Sequence, residues 1–143
     1  MARPHALPTP PREPAWDIAF TRLVQALRPQ VETCTGDLAR RFQALGVRSE
    51  VEVRPTPRGL STFLALLGQR GLIGLVDLTL VDGMTVGQGP HALLDIRLLD
   101  ACGDVVAEAL AAGHLDRAAN VVYVAALAHF ELLRPAADLA RRG

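Results

Sequence analysis

Side chains able to do chemistry are few in this sequence and lie far apart. Its only serines, Ser49 and Ser61, stand outside any G-x-S-x-G turn. Every basic residue is an arginine, so Schiff-base, P-loop and kinase-type lysine chemistry is ruled out. Cys34 falls on an apolar helical stripe and reads as a small buried hydrophobe. Cys102 falls in a tight loop with no histidine beside it in sequence. The two form no zinc or thiol-redox motif, and a disulfide between them is disfavoured in the cytoplasmic setting expected below.

The histidines are His5, His91, His114 and His129. His129 lies on an apolar helical segment, where a hydrogen-bonded structural role is expected. His91 opens a strand and His114 precedes the last helix, so both can approach the acidic loops that hold Asp82, Asp100 and Asp104. Such a His/Asp group could bind a divalent ion or exchange protons. Its members lack the fixed helical spacing that makes metal motifs specific, and Asp in a loop commonly caps its own turn. The enzyme reading therefore requires these five side chains to converge in one pocket.

The segments that must position these residues are legible. Leu72 to Val81, Ala92 to Leu99 and Val105 to Leu110 are successive apolar runs. The loop 100–104 carries Gly103 and gives a hairpin signal, so the three read as an antiparallel meander. In the second run Ala92, Leu94, Ile96 and Leu98 share the core face. Asp77, Thr79, Asp95 and Arg97 share a half-polar opposite face, which is wet or meets a partner. The connection from Asp82 to Pro90 carries Gly83, Gly87 and Gly89, but it precedes a strand and no Lys-Ser/Thr pair follows, so it is no phosphate cradle.

Trp16, Phe20, Leu23, Leu27, Val31, Cys34, Leu38, Phe42 and Leu45 recur at steps of four and three, the period of a helix. Pro29 should kink or split that helix near Arg28, and Gly46 stands where a left-handed cap belongs. Glu50 to Arg54 alternates as a half-buried edge strand stopped by Pro55 and Pro57. Leu60 to Leu67 fits a strand better than a helix, with 68–71 as a turn. Asp116 is expected to cap a last helix running to Leu133. Its face Ala119, Val122, Ala126, Phe130 and Leu133 suits the sheet. A second apolar face, Val121, Val124, Ala128 and Leu132, needs another cover, either the first helix or a second copy. After Pro135, 136–142 reads as an amphipathic tail.

At 143 residues, half of them apolar, the chain is long enough for one core without disulfides. The expected division is a flexible Pro-rich extension at 1–14 and a single α+β domain at 15–143. No secretory signal and no membrane span are legible, so a cytoplasmic protein is expected. Arginine, alanine and leucine usage fits a GC-rich bacterial genome. Formal net charge is zero, but 38–70 holds six arginines against two acids and 71–116 seven acids against one arginine, so complementary patches could meet a partner. The aromatics of the basic stretch, Phe42 and Phe63, are better placed in a core than on a base-stacking platform, and no nucleic-acid partner is expected.

The fold class expected is α+β: a long N-terminal helix, an antiparallel meander of four to five strands and a long C-terminal helix, with both helices on one sheet face. The hairpin Ala92 to Leu110 followed by the helix Asp116 to Leu133, about a third of the chain, resembles in architecture the small dimeric chaperones of type III secretion and related sensory regulators. The chain departs from them in showing no helix between the third and fourth strands and in lacking strong acidity. The resulting expectation is a non-catalytic homodimeric protein- or peptide-binding module, chaperone- or adaptor-like, with no cofactor. Its partner-binding residues would be Asp77, Thr79, Asp95, Arg97, Val121, Val124, Ala128 and Leu132. The competing class is a small-molecule-binding or metal-dependent enzyme built on His91, His114, Asp82, Asp100 and Asp104.

Overall fold

The computed structural model describes residues 14–56 and 59–133. The extension expected at 1–14, apart from Pro14, and the tail expected at 136–142 lie outside them. In chain order the elements are α1 (Pro14–Gln43), β1 (Arg48–Thr56), β2 (Gly59–Gly68), β3 (Gly71–Asp82), β4 (Ala92–Asp100), β5 (Val105–Ala111) and α2 (Leu115–His129). The strands form one antiparallel sheet in the order β1-β2-β3-β4-β5. Both helices lie on one side of it.

Period-two alternation selects that side. Leu64 and Leu66 of β2, Val76, Leu78 and Leu80 of β3, and Ala92, Leu94, Ile96 and Leu98 of β4 are buried together beneath the helices. α1 lies over β1 to β4, and α2 lies over β4 and β5. The helices meet where Phe42 packs on Tyr123, with ring centroids 5.1 Å apart. There Arg41 also donates to Asn120 Oδ1 at 2.9 Å and stacks over the Tyr123 ring. At the other end Trp16 Nε1 donates to Asp82 Oδ2 at 3.1 Å.

Several local expectations are corrected. Pro29 neither splits nor ends α1, which is one helix through it. Pro29 and Gln25, whose carbonyl loses its donor, both lie on the exposed side, where an unbonded carbonyl is tolerated. Val24, not Leu23, enters the core, because a true 3.6-residue period carries the stripe from Phe20 to Val24. Pro55 stays within β1, as an edge strand permits. Gly46 does take positive φ, and Val47 N–H bonds Phe42 O while Gly46 N–H bonds Gln43 O, a Schellman cap.

α2 differs most from expectation. Its N-cap is His114 in left-handed conformation, φ 53°, with no side-chain cap bond, and Asp116 lies inside the first turn. The helix ends at His129, not Leu133. Glu131 takes φ 54°, and Glu131 N–H bonds Ala128 O while Leu132 N–H bonds Leu127 O, a second Schellman cap formed without glycine. Leu133 is consequently exposed. Phe130 lies against Gly74, where any Cβ would stand 2.5 Å from the ring.

Candidate functional site

The sheet face turned away from the helices carries no element at all among the described residues. Its side chains follow from the register. One row runs Glu52, Phe63, Asp77, Arg97, Glu108, and the next runs Arg54, Ser61, Thr79, Asp95, Leu110. Asp77, Thr79, Asp95 and Arg97 therefore do share one face, in the middle of the sheet. Leu75 and Leu99 flank them on one side and Val81 and Leu93 on the other.

These polar groups are tied to one another. Ser61 Oγ and Thr79 Oγ1 are 2.9 Å apart, and Thr79 Oγ1 donates to Asp77 Oδ1 at 2.6 Å. Arg97 Nε donates to Glu108 Oε2 at 2.7 Å and reaches Asp95 Oδ2 at 3.1 Å. Asp95 is only 9% exposed although it faces away from the helices, and its Oδ1 is shut from solvent with no hydrogen-bond partner. Burial pushes the Asp95 carboxyl up to about 6, and a hydrogen bond with Glu108 adds to the rise while Arg97 opposes it. Glu108 is held below the usual carboxylate range, first by its bond to Arg97 and then by the one to Asp95. Chemically the face offers apolar contact and hydrogen bonds. The hydroxyls of Ser61 and Thr79 are bound to each other, and among the described residues the face presents no histidine.

The His/Asp set does not converge. Asp82 pairs with Ala92 at one end of β4, whereas Asp100 and Asp104 lie at the other. The length of β4 separates them by about 26 Å at ~3.3 Å per residue. Asp100 Oδ1 accepts the amides of Cys102 at 2.9 Å and Asp104 at 3.0 Å, closing its own turn. Asp82 Oδ1 accepts the Met84 amide at 2.9 Å and Oδ2 holds Trp16. Among the described residues no group of three or more His, Cys, Asp or Glu could hold a metal ion. His129 is exposed and stands edge-on to Phe130, not buried as a structural histidine.

Val121, Val124 and Ala128 are exposed on the outer side of α2, with Leu132 half-buried beyond its end. α1 does not cover them. They lie on the helical layer, opposite the polar sheet face, so the eight expected partner residues form two surfaces and not one.

Sequence reasoning missed a groove of about 680 Å³ between α1 and the start of α2. Cys34, Leu38, Leu115 and Ala119 give it apolar walls, with Asp37, His114 and Asp116 also lining it. Burial, with Asp37 and Asp116 nearby, pushes the Cys34 thiol up to about 11, which leaves it protonated and inert at neutral pH. No sequence signal announces this groove, since it arises from how two helices diverge. No helix of the described residues is long and apolar enough to cross a membrane. No family model, characterised protein or solved structure matches the chain.

Proposed function

We propose that the chain is a non-catalytic, homodimeric protein-binding module that holds a segment of a partner protein on the open face of its sheet. The observation that carries this reading is the composition of that face: Phe63, Leu75, Leu99 and Leu110 surround a central hydrogen-bonding network over which no helix or strand of the described residues packs. Its charged positions are five acids, Glu50, Glu52, Asp77, Asp95 and Glu108, against Arg48, Arg54 and Arg97. A segment mixing apolar and basic residues complements it.

The test is selection from a displayed random peptide library on the immobilised chain, followed by anisotropy titration of the enriched peptides. Apolar, basic sequences should emerge. Leu110→Asp should weaken them by roughly tenfold or more, about 1.4 kcal/mol, while Val124→Glu on the helical layer leaves them unchanged. Absence of enrichment, or binders indifferent to Leu110→Asp, would overturn the reading. The helix groove supports a second reading, small-molecule binding, because its volume suits such a ligand. Binders displaced by Ala119→Trp and not by Leu110→Asp would favour that one.

A further inference from the structure

β1 ends the sheet, so nine residues, Arg48–Thr56, present one side of their backbone to no other strand among the described residues. The opposite edge, β5, has seven residues and α2 packed against it. Two features of β1 depart from an ordinary protected edge. Val51 and Val53 stand opposite Leu64 and Thr62, both buried, and so belong to the side the helices cover. They are nevertheless 54% and 50% exposed. α1 borders Val53 through Arg28, Val31 and Glu32 but leaves both valines half open, and the apolar layer runs on past its cover.

The second feature is charge order. On the other side β1 presents Arg48, Glu50, Glu52 and Arg54. Edges are kept apart by charges that repel a second strand, lysine above all. Here the order plus, minus, minus, plus reads the same from either end, so a second β1 arriving antiparallel and offset by one pair sets Glu50 against Arg54 twice, with Glu52 against itself between them.

We infer that two copies of this chain pair through β1, antiparallel about a two-fold axis at Glu52, with Val51 opposite Val53 of the second copy. This inference deepens the homodimer half of the reading above. The register follows by elimination. Placing Val51 opposite itself sets Arg48 against Arg54 and Glu50 against Glu52, like against like. Placing Val53 opposite itself pairs only 50–56 and leaves Val51 against Pro55. With the axis at Glu52 all nine residues pair, and Glu50 faces Arg54 at two symmetric places. Each Arg54 also keeps its own Glu52, 2.7 Å away, so the two axial carboxylates are flanked by two guanidinium groups. Pro55 falls opposite Ser49, near the ladder's ends, where a missing donor matters least.

An axis normal to the sheet has a functional consequence. Both helical layers fall on one side and both open faces on the other, and the dimer presents a single ten-stranded surface twice as wide for a partner segment. The four exposed valines close over one another beside the two α1 helices.

The test uses sedimentation velocity on the full chain across the micromolar range. Wild type should dimerise. Glu50→Arg alone and Arg54→Glu alone should each be monomeric with unchanged circular dichroism, since each sets like charges opposite one another twice. Mixing the two single variants should restore a dimer, because each copy then supplies what the other lacks. Restoration on mixing overrides any doubt about folding. A wild type monomeric throughout, a dimer indifferent to both single substitutions, or a mixture that stays monomeric would overturn the inference. Peptide binding to the open face is measured separately on the wild-type protein, so failure here and failure of that reading are distinguishable.

Discussion

Asp95→Asn should make the protein more stable at neutral pH, although it removes a charged partner of Arg97. Folding moves the Asp95 carboxyl from 3.8 to about 6, which at roughly 1.4 kcal/mol per pH unit gives a ceiling of about 3 kcal/mol. Arg97 beside it is half exposed and solvent screens part of the interaction, so about 1–2 kcal/mol is the expected effect. The sign follows from the direction of the shift. A raised carboxyl favours the folded state where it is protonated, so this contribution is complete below about pH 4 and lost as pH rises through 6. Asparagine cannot ionise and keeps an acceptor for Arg97, which also retains Glu108. Glu108 is held low first by Arg97, which both proteins keep, and then by Asp95, so only the Arg97 part drops out of the difference. Urea unfolding of both proteins from pH 3.5 to pH 8 measures it directly. The stability difference should be near zero at the acid end and grow to its full value by pH 7. A variant less stable than wild type at pH 8, or a difference independent of pH, would refute the argument that Asp95 is held against its own ionisation.

Gly74→Ala should destabilise by about 2 kcal/mol or more, because its Cβ would lie 2.5 Å from the Phe130 ring and 2.7 Å from Leu99 O; Phe130→Leu in the same chain should recover only part of this in thermal melts, since the carbonyl remains. His114→Asn should stabilise by up to about 1 kcal/mol in urea titrations, because Asn tolerates the left-handed conformation that this position holds at the start of α2. Maleimide labelling at pH 7.5 should count one fast thiol per chain, the exposed Cys102, and a second only on unfolding, because Cys34 is buried and its thiol pushed up to about 11. Val124→Glu should change stability by no more than about 0.5 kcal/mol, because Val124 is exposed, and should leave the sedimentation of the dimer unchanged.

The sheet was legible because apolar runs separated by Gly-containing links admit few arrangements. The expected strands 72–81, 92–99 and 105–110 fall within one or two residues of β3, β4 and β5. The period of two also placed Asp77, Thr79, Asp95 and Arg97 on one face. The ends of α2 were not legible, since left-handed conformations at His114 and Glu131 come from tertiary packing and carry no glycine to announce them. Nor was the exposure of Val51 and Val53. Local alternation marks which way a side chain points, but whether something covers it depends on where α1 crosses, which no residue of β1 encodes. The separation of Asp82 from Asp100 was implicit all along. Consecutive antiparallel strands put the two ends of a nine-residue strand at opposite margins of the sheet, so loops before and after β4 cannot share a site.

Antiparallel sheets commonly leave one face to water, and a bare face is not by itself a sign of a partner. What distinguishes this one is its outward positions, which in a solvated sheet are polar at every second residue. Here β3 turns Leu75 and Val81 outward, and β4 turns Leu93 and Leu99 outward. On these two strands the polar residues are confined to the central rows, where they bond mainly to one another. Asp95 shows the result: neighbours on its own and adjacent strands close over it until a carboxyl on a nominally open face is nine-tenths buried and hard to ionise. A face selected only for solubility would place its charges at the margins and leave them hydrated. This face instead keeps an oriented cluster of donors and acceptors inside an apolar surround, with Asp95 nearly dry at its centre, an arrangement of the kind by which the centre of a protein interface fixes the register of what lies on it.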